Sequence, residues 1–315
     1  LRRTRMQRNL RLRARVAAQR CVYTAAMDAK LAELVRLLAL EPIEDNIFRG
    51  ASRDIGSPQV FGGQVLGQAL MAAYETVEPR REVHSLHAYF LRRGDFNAPI
   101  VYDVDRARDG HSFDARRVVA IQHGQQIFNL SASFQASEQG LEHQASMPDV
   151  PPPGELADSG TPPRELLEQL PEKLQRLFEK QRSFEFRMVE PVDYLHPQKL
   201  PPWQHIWMRA VGPLPDDERL HRCLLAYVSD YNLLSTALRP HGASFLTGDL
   251  ATASIDHAMW FHRPPRVDEW LLYSVDSPSA SGARGFARGM LHTQDGRLIA
   301  STAQEGLLRV AKPPG

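Results

Sequence analysis

The sequence has almost no cysteine, no long apolar run and no acid in its first 27 residues, and each shortage closes off a class of protein. Cys21 and Cys223 are its two cysteines. They are far apart, so they offer neither a disulfide framework nor a zinc-ligand spacing. That scarcity fits a reducing compartment, and the cytoplasm is the expected location. No stretch approaches the roughly 20 apolar residues that cross a bilayer, so no membrane span is expected. Neither a P-loop nor a dinucleotide-binding glycine fingerprint occurs. No metal or cofactor is called for.

The charge is unevenly placed. The chain carries 38 basic and 37 acidic residues. Eight of the basic ones are Arg2, Arg3, Arg5, Arg8, Arg11, Arg13, Arg15 and Arg20, ahead of the first acid, Asp28. The remainder is net acidic, a poor match for a phosphate backbone, so nucleic acid is excluded as a partner of the folded part. Residues 1–27 read as a disordered extension. An organelle presequence is the alternative, although the serines of such a segment are missing.

What is present is a chain with 43% hydrophobic residues, enough for a sizeable core. From Asp28 the apolar positions Leu31, Leu34, Val35 and Leu38 follow helical spacing, with Asp28 as N-cap. Phe61–Tyr74 opens on Gly62-Gly63, a pair that permits close backbone approach. It is then apolar on nearly every side except for Gln64 and Gln68, which predicts a buried helix. Strands are expected at Val83–Leu91, Ile100–Ala107, Ser112–His123 and Gln126–Gln135, parted by short polar turns. Six prolines between Pro148 and Pro163 predict a linker, followed by a polar helix over Arg164–Lys180. Beyond it, His221–Tyr227 reads as a strand and Asp230–Leu238 as a helix. Leu271–Val275, Ala283–Thr293 and Leu298–Gln304 read as strands.

The second half repeats the first. His87-Ala88-Tyr89-Phe90 matches His257-Ala258-Met259-Trp260, and Arg93 matches Arg263. Tyr102-Asp103-Val104-Asp105 matches Tyr273-Ser274-Val275-Asp276, and Gln122-His123-Gly124 matches Gln294-Asp295-Gly296. A near-constant offset across that length marks an internal duplication. The domains expected are an N-terminal repeat at 28–147, a proline-rich linker with a helix at 148–200, and a C-terminal repeat at 201–311.

Several strings then point to a family. Ile255-Asp256-His257-Ala258-Met259-Trp260-Phe261-His262-Arg263-Pro264 resembles the signature of the type II acyl-CoA thioesterases. So do Glu269-Trp270-Leu271-Leu272-Tyr273-Ser274, Ala283-Arg284-Gly285-Phe286-Ala287-Arg288-Gly289 and Ala303-Gln304-Glu305-Gly306. The resemblance covers residues 28–310. It implies an α+β double hotdog, two repeats each with a long buried helix wrapped by an antiparallel sheet. It also implies hydrolysis of acyl-CoA to a fatty acid and CoA, in a chain that forms a homodimer or a higher homo-oligomer.

The duplication shows which half is specialised. Aligning Ala237-Leu238 with Ala69-Leu70 sets Asp230 opposite Gly62, and the repeat offset sets Ser254 opposite His84 and Gln304 opposite Ser133. By resemblance, Asp230, Ser254 and Gln304 match the family's catalytic trio, which holds one water. A carboxylate can take the proton from that water, while a hydroxyl and an amide can orient it. The alternative for Asp230 at a helix start is a plain N-cap. The family commonly has Thr where Ser254 stands, so the rotamer restraint of the β-methyl is lost. Arg263, Arg284 and Arg288 are candidates for the phosphates of CoA.

Other readings are weaker. His111-Ser112-Phe113 follows Gly110, but Asp114 stands where a nucleophile elbow needs glycine. His257 repeats His87, and both read as core histidines; Asp256 reads as a structural hydrogen-bonding group. Two rivals to the thioesterase are a hotdog enoyl-CoA hydratase and a non-catalytic acyl-CoA binder.

Overall fold

A computed structural model describes residues 27–56, 59–159, 183–191, 193, 196–244 and 250–310, with Glu168 and Gln175 besides. The arginine-rich head, except Met27, and the helix expected at 164–180, except Glu168 and Gln175, lie outside the described residues.

Asp28 caps the first helix, α1 (Ala29–Leu38), as expected. Its carboxylate accepts from the N–H groups of Lys30 and Leu31 at 2.9 and 3.3 Å. Two short strands follow, β1 (Glu41–Glu44) and β2 (Ile47–Gly50). Helix α2 (Gly62–Tyr74) is buried along nearly its whole length. Its two buried glutamines are satisfied by the chain around them. Gln68 donates to the carbonyls of Leu37 and Ala51 and accepts from the Tyr102 hydroxyl at 2.7 Å. Gln64 donates to the Ala51 carbonyl. These bonds fix the helix against the strands that wrap it.

The strands of the first repeat are β3 (Arg81–Phe90), β4 (Ile100–Asp109), β5 (Phe113–Gln122) and β6 (Gln125–Ala136), close to the spans predicted. In the second half come β7 (Phe184–Met188), β8 (Trp203–Ala210), helix α3 (Glu218–Ser229) and a one-turn helix α4 (Leu233–Thr236). Strands β9 (Leu250–Ser254), β10 (Asp256–Phe261), β11 (Leu271–Ser281), β12 (Arg284–Thr293) and β13 (Leu298–Val310) complete it. The duplication is visible in the turns as well: Gly124 and Gly296 both take positive φ, 72° and 87°, between corresponding strands.

All strands among the described residues join one antiparallel sheet in the order β1-β2-β4-β5-β6-β3-β10-β13-β12-β11-β8-β7, with β9 on the far end of β13. The repeats meet at its centre, where β3 pairs with β10 (Leu86 opposite Met259, Ala88 opposite His257). The sheet wraps α2 and α3, which lie against each other. Among the described residues no helix is long and apolar enough to cross a membrane.

Two expectations are overturned. His221–Tyr227 is not a strand: it lies inside α3. Every residue from Leu220 to Ser229 is buried, and the short apolar run at 223–228 fits a buried strand as well as a buried helix. No long helix begins at Asp230, which instead follows the C-terminus of α3. The proline-rich stretch is tied to the second repeat. Trp207 donates its indole N–H to the Pro151 carbonyl at 2.9 Å, and Gln144 bonds both Gly296 and Leu298. Residues 184–188, within the span read as linker, form the edge strand β7.

Candidate active site

Helices α2 and α3 pack antiparallel, and glycines set their separation. A Cβ on Gly67 would lie 3.0 Å from the Cys223 carbonyl oxygen, and one on Gly63 only 2.2 Å from that of Tyr227. A Cβ on Gly62 would lie 2.6 Å from Asp230 Oδ2. The C-terminus of α3 is therefore pressed onto the N-terminus of α2. Asp230 is the C-cap residue of α3 and not the N-cap of a following helix. Its carboxylate accepts the Gly63 N–H and sits at the positive end of the other repeat's helix. The alignment that set Asp230 opposite Gly62 as an equivalent helix start is corrected: Asp230 ends its helix and touches the start of the other, because the helices run in opposite directions.

The sheet brings the other two groups. Gln304, 1% exposed, points inward from β13. Its Nε2 donates to Asp230 Oδ1 at 3.0 Å and to Ser254 Oγ at 2.6 Å. Ser254 Oγ donates to Asp230 Oδ1 at a longer 3.4 Å. Ser254 reaches this side through a β-bulge. Gly306 pairs with Ser254 and Ala303 with Ala258, so four steps along β9 and β10 span three on β13. Without the extra residue, Ser254 and His257 would face opposite sides of the sheet. The Asp256 carboxylate accepts the Glu305 N–H at 2.7 Å beside the bulge, which is the structural role expected of it.

Burial raises the Asp230 carboxyl to about 6, against the lowering effect of the Gln304, Gly63 and Ser254 hydrogen bonds. Asp230 and Ser254 keep partial exposure. The wall of the site is apolar: Phe90 lies against Gly62, and Phe61 packs on Tyr227 and Tyr231 with ring centroids at 5.2 and 4.5 Å.

Sequence reasoning missed how His257 is used. It is fully buried, with Nδ1 3.2 Å from Gln304 Oε1 and Nε2 3.0 Å from Ser229 Oγ. Its repeat partner His87 is not in the core: it is exposed and packs edge-on against Trp260. The three arginines are not gathered into one patch. Arg284 and Arg288 project from the exposed face of β12, paired with Glu305 and Asp276 at 2.9 and 3.0 Å. Arg263 donates to the Leu298 carbonyl and lies 3.6 Å from Glu142.

Two helices enclosed by one continuous antiparallel sheet, with a carboxylate where they meet, define a double-hotdog protein. The chain belongs to the acyl-CoA thioesterase family. The family model for acyl-CoA thioesterase matches residues 173–307, and that for the acyl-CoA thioesterase N-terminal domain matches residues 50–135. Acyl-CoA thioesterase 2 of Haemophilus influenzae is 45% identical over 286 residues, covering 91% of this chain and all of that protein. The crystal structure of an acyl-CoA thioesterase II from Mycobacterium marinum superposes with a TM-score of 0.71 at 43% identity, covering 89% of this chain and 99% of that one. A protein of unknown function with a hot dog fold from Alicyclobacillus acidocaldarius shares the fold, with a TM-score of 0.71 at 20% identity over 89% of this chain and 99% of that one.

Proposed function

We propose that the chain hydrolyses fatty acyl-CoA to the free fatty acid and CoA, with Asp230 as general base and Ser254 and Gln304 holding the geometry around it. The observation that carries this reading is the hydrogen-bonded trio, in which Gln304 and Ser254 hold the Asp230 carboxylate at the N-terminus of α2 and burial raises it to about 6. At neutral pH it is ionised, yet basic enough to take a proton from water.

The reaction needs no covalent intermediate. Water attacks the thioester carbonyl carbon, and its proton passes to Asp230 as the C–O bond forms. The C–S bond then breaks, and CoA leaves as a thiolate that recovers the proton. The two N–H bonds of Gln304 are spent on Asp230 and Ser254, so the amide aligns these groups and leaves the water to them. The 3.4 Å link between Ser254 and Asp230 is the longest in the trio, and a water bridging it would meet both a proton acceptor and a hydroxyl. The end of α2 favours charge developing on the thioester oxygen. Arg284 and Arg288 are open to the phosphates of CoA, with side chains 48% and 61% exposed. The hydratase reading requires a histidine free to exchange protons with substrate, whereas His257 is enclosed between Ser229 and Gln304.

Free-thiol release from acyl-CoAs of graded chain length tests the reading. Wild type is expected to hydrolyse at least part of the series, and Asp230→Asn to lose a factor of about 10² or more in kcat. Wild type that cleaves no acyl-CoA ends the thioesterase reading and brings the non-catalytic binder forward.

A further inference from the structure

Gln304 can serve the carboxylate in only one of its two amide orientations. An ionised carboxylate accepts hydrogen bonds and donates none, so the NH₂ end must face Asp230 and the Oε1 end must face away. A glutamine held only by those contacts can turn over. Here Oε1 faces His257 Nδ1 at 3.2 Å, and a carbonyl oxygen accepts only from a nitrogen that carries hydrogen. With Nδ1–H pointing at Gln304, neutral His257 offers Nε2 as acceptor, and the Ser229 hydroxyl, which lies 2.9 Å from the Ala226 carbonyl and 3.0 Å from Nε2, turns its one hydrogen to the imidazole. The chain of bonds runs from Ser229 through His257 and Gln304 to Asp230, and so closes on the residue next to its start. Ser229 is itself held, since its carbonyl accepts the Tyr273 hydroxyl at 3.1 Å.

We infer that His257 is a positioning residue for the proposed hydrolysis: its Nδ1–H locks the Gln304 amide with the NH₂ toward Asp230 and Ser254. The inference rests on the thioesterase reading and deepens it. The duplication supports it independently, because the same residue type at the repeat position, His87, is exposed and packs on Trp260. The histidine is buried only in the half that holds the carboxylate. His257 takes no proton from water. Burial pushes its imidazole down to about 4, so it stays neutral at the pH where Asp230 works and acts as a fixed donor.

The test compares His257→Phe, which keeps a ring and loses the donor, with His257→Asn, whose amide nitrogen can occupy the place of Nδ1. The phenylalanine variant is expected to lose roughly 10- to 100-fold in kcat with KM changed less than about threefold. The asparagine variant is expected to recover most of that loss. Placed on Gln304→Ala, His257→Phe should add almost nothing, because its effect passes through the amide.

The acid limb of kcat/KM is the second readout. The titratable groups facing Asp230 are Tyr227 on its own helix and Tyr273 from β11, both held neutral by burial. α2 contributes the Gly63 N–H, β13 contributes Gln304 and β9 contributes Ser254. With the amide unlocked, Asp230 loses a donor, and the limb should move to higher pH in His257→Phe but not in His257→Asn.

An active wild type with His257→Phe unchanged in kcat and acid limb, or with losses additive to those of Gln304→Ala, overturns the positioning role alone. A wild type that cleaves no acyl-CoA overturns that role together with the function. Should His257→Phe fail to fold, the ¹⁵N spectrum of wild-type imidazole decides: the Nδ1–H tautomer is expected, and the Nε2–H tautomer refutes the lock.

Discussion

At Asp230 two influences pull in opposite directions, and their balance bears on stability and on the proposed role as base. The hydrogen bonds from Gln304, Gly63 and Ser254 favour the carboxylate; burial opposes it and wins, leaving the group near 6 instead of the ordinary 3.8. A raised acid binds more protons folded than unfolded between those values. Its contribution to stability is therefore full below about pH 4 and declines as pH rises through 6. Full loss is worth about 2–3 kcal/mol. His257 works the other way: lowered from 6.5 to about 4, it makes the fold more stable as pH rises across that interval. Asp230→Asn removes only the first influence. The variant should therefore be more stable than wild type in urea at pH 7.5, by about 2 kcal/mol, and about equal at pH 4. Wild-type kcat/KM should fall below pH 6 as the base takes up its proton. A variant no more stable than wild type at pH 7.5 would show that the carboxylate is not strained by burial.

At the scale of elements, the α2–α3 contact positions Asp230, the proposed base, and two adjacent glycines in it should fail in different ways. An added Cβ at Gly63 meets the Tyr227 carbonyl oxygen at 2.2 Å and a Phe61 ring carbon at 2.5 Å. Backbone cannot step aside, so Gly63→Ala should cost about 1–3 kcal/mol in urea unfolding. At Gly62 the first atom met is the side-chain oxygen Oδ2 of Asp230. Gly62→Ala should therefore push the carboxylate out of place, losing about 10² in kcat with little loss of stability. Equal effects of the two substitutions on both quantities would refute this division.

Much of this arrangement was legible in the sequence. The glycine pair announced a close approach, and the duplication located the sheet and the residues that depart from symmetry. The strand misread inside α3 came from its short apolar run at 223–228, whose length and composition suit a buried strand as well as a helix. The bulge that turns Ser254 toward Gln304 was not legible, since one extra residue leaves no mark on hydrophobic alternation. The alignment treated Asp230 and Gly62 as equivalent helix-start positions, whereas Asp230 ends its helix and meets Gly62 across an antiparallel contact between repeats, which belongs to tertiary structure.

For the molecule as a whole, the duplication has produced one specialised end and one that lacks its chemistry. At the far end of the helix pair, the residue that caps the C-terminus of α2 is Glu75, and His84 and Ser133, 2.8 Å apart, stand in for Ser254 and Gln304. Arg219 lies over Tyr74 there, where the other end has paired glycines. The specialised end nevertheless needs both halves: Asp230 comes from one repeat, and the helix terminus it faces comes from the other. The β3–β10 pairing and the α2–α3 contact should therefore bind the repeats into one unfolding unit.

The tryptophans make this testable, because Trp203, Trp207, Trp260 and Trp270 all lie in the second half. Tryptophan fluorescence should follow urea unfolding with the same midpoint as far-UV circular dichroism, which reports on both repeats. Leu66→Ala, at a fully buried position of α2, removes about 2–5 kcal/mol from the first repeat. It should shift the fluorescence midpoint as far as the dichroism midpoint, although no tryptophan lies in that half. A fluorescence midpoint left in place would mean that the second repeat stands alone, and then the site would not owe its cohesion to the helix contact.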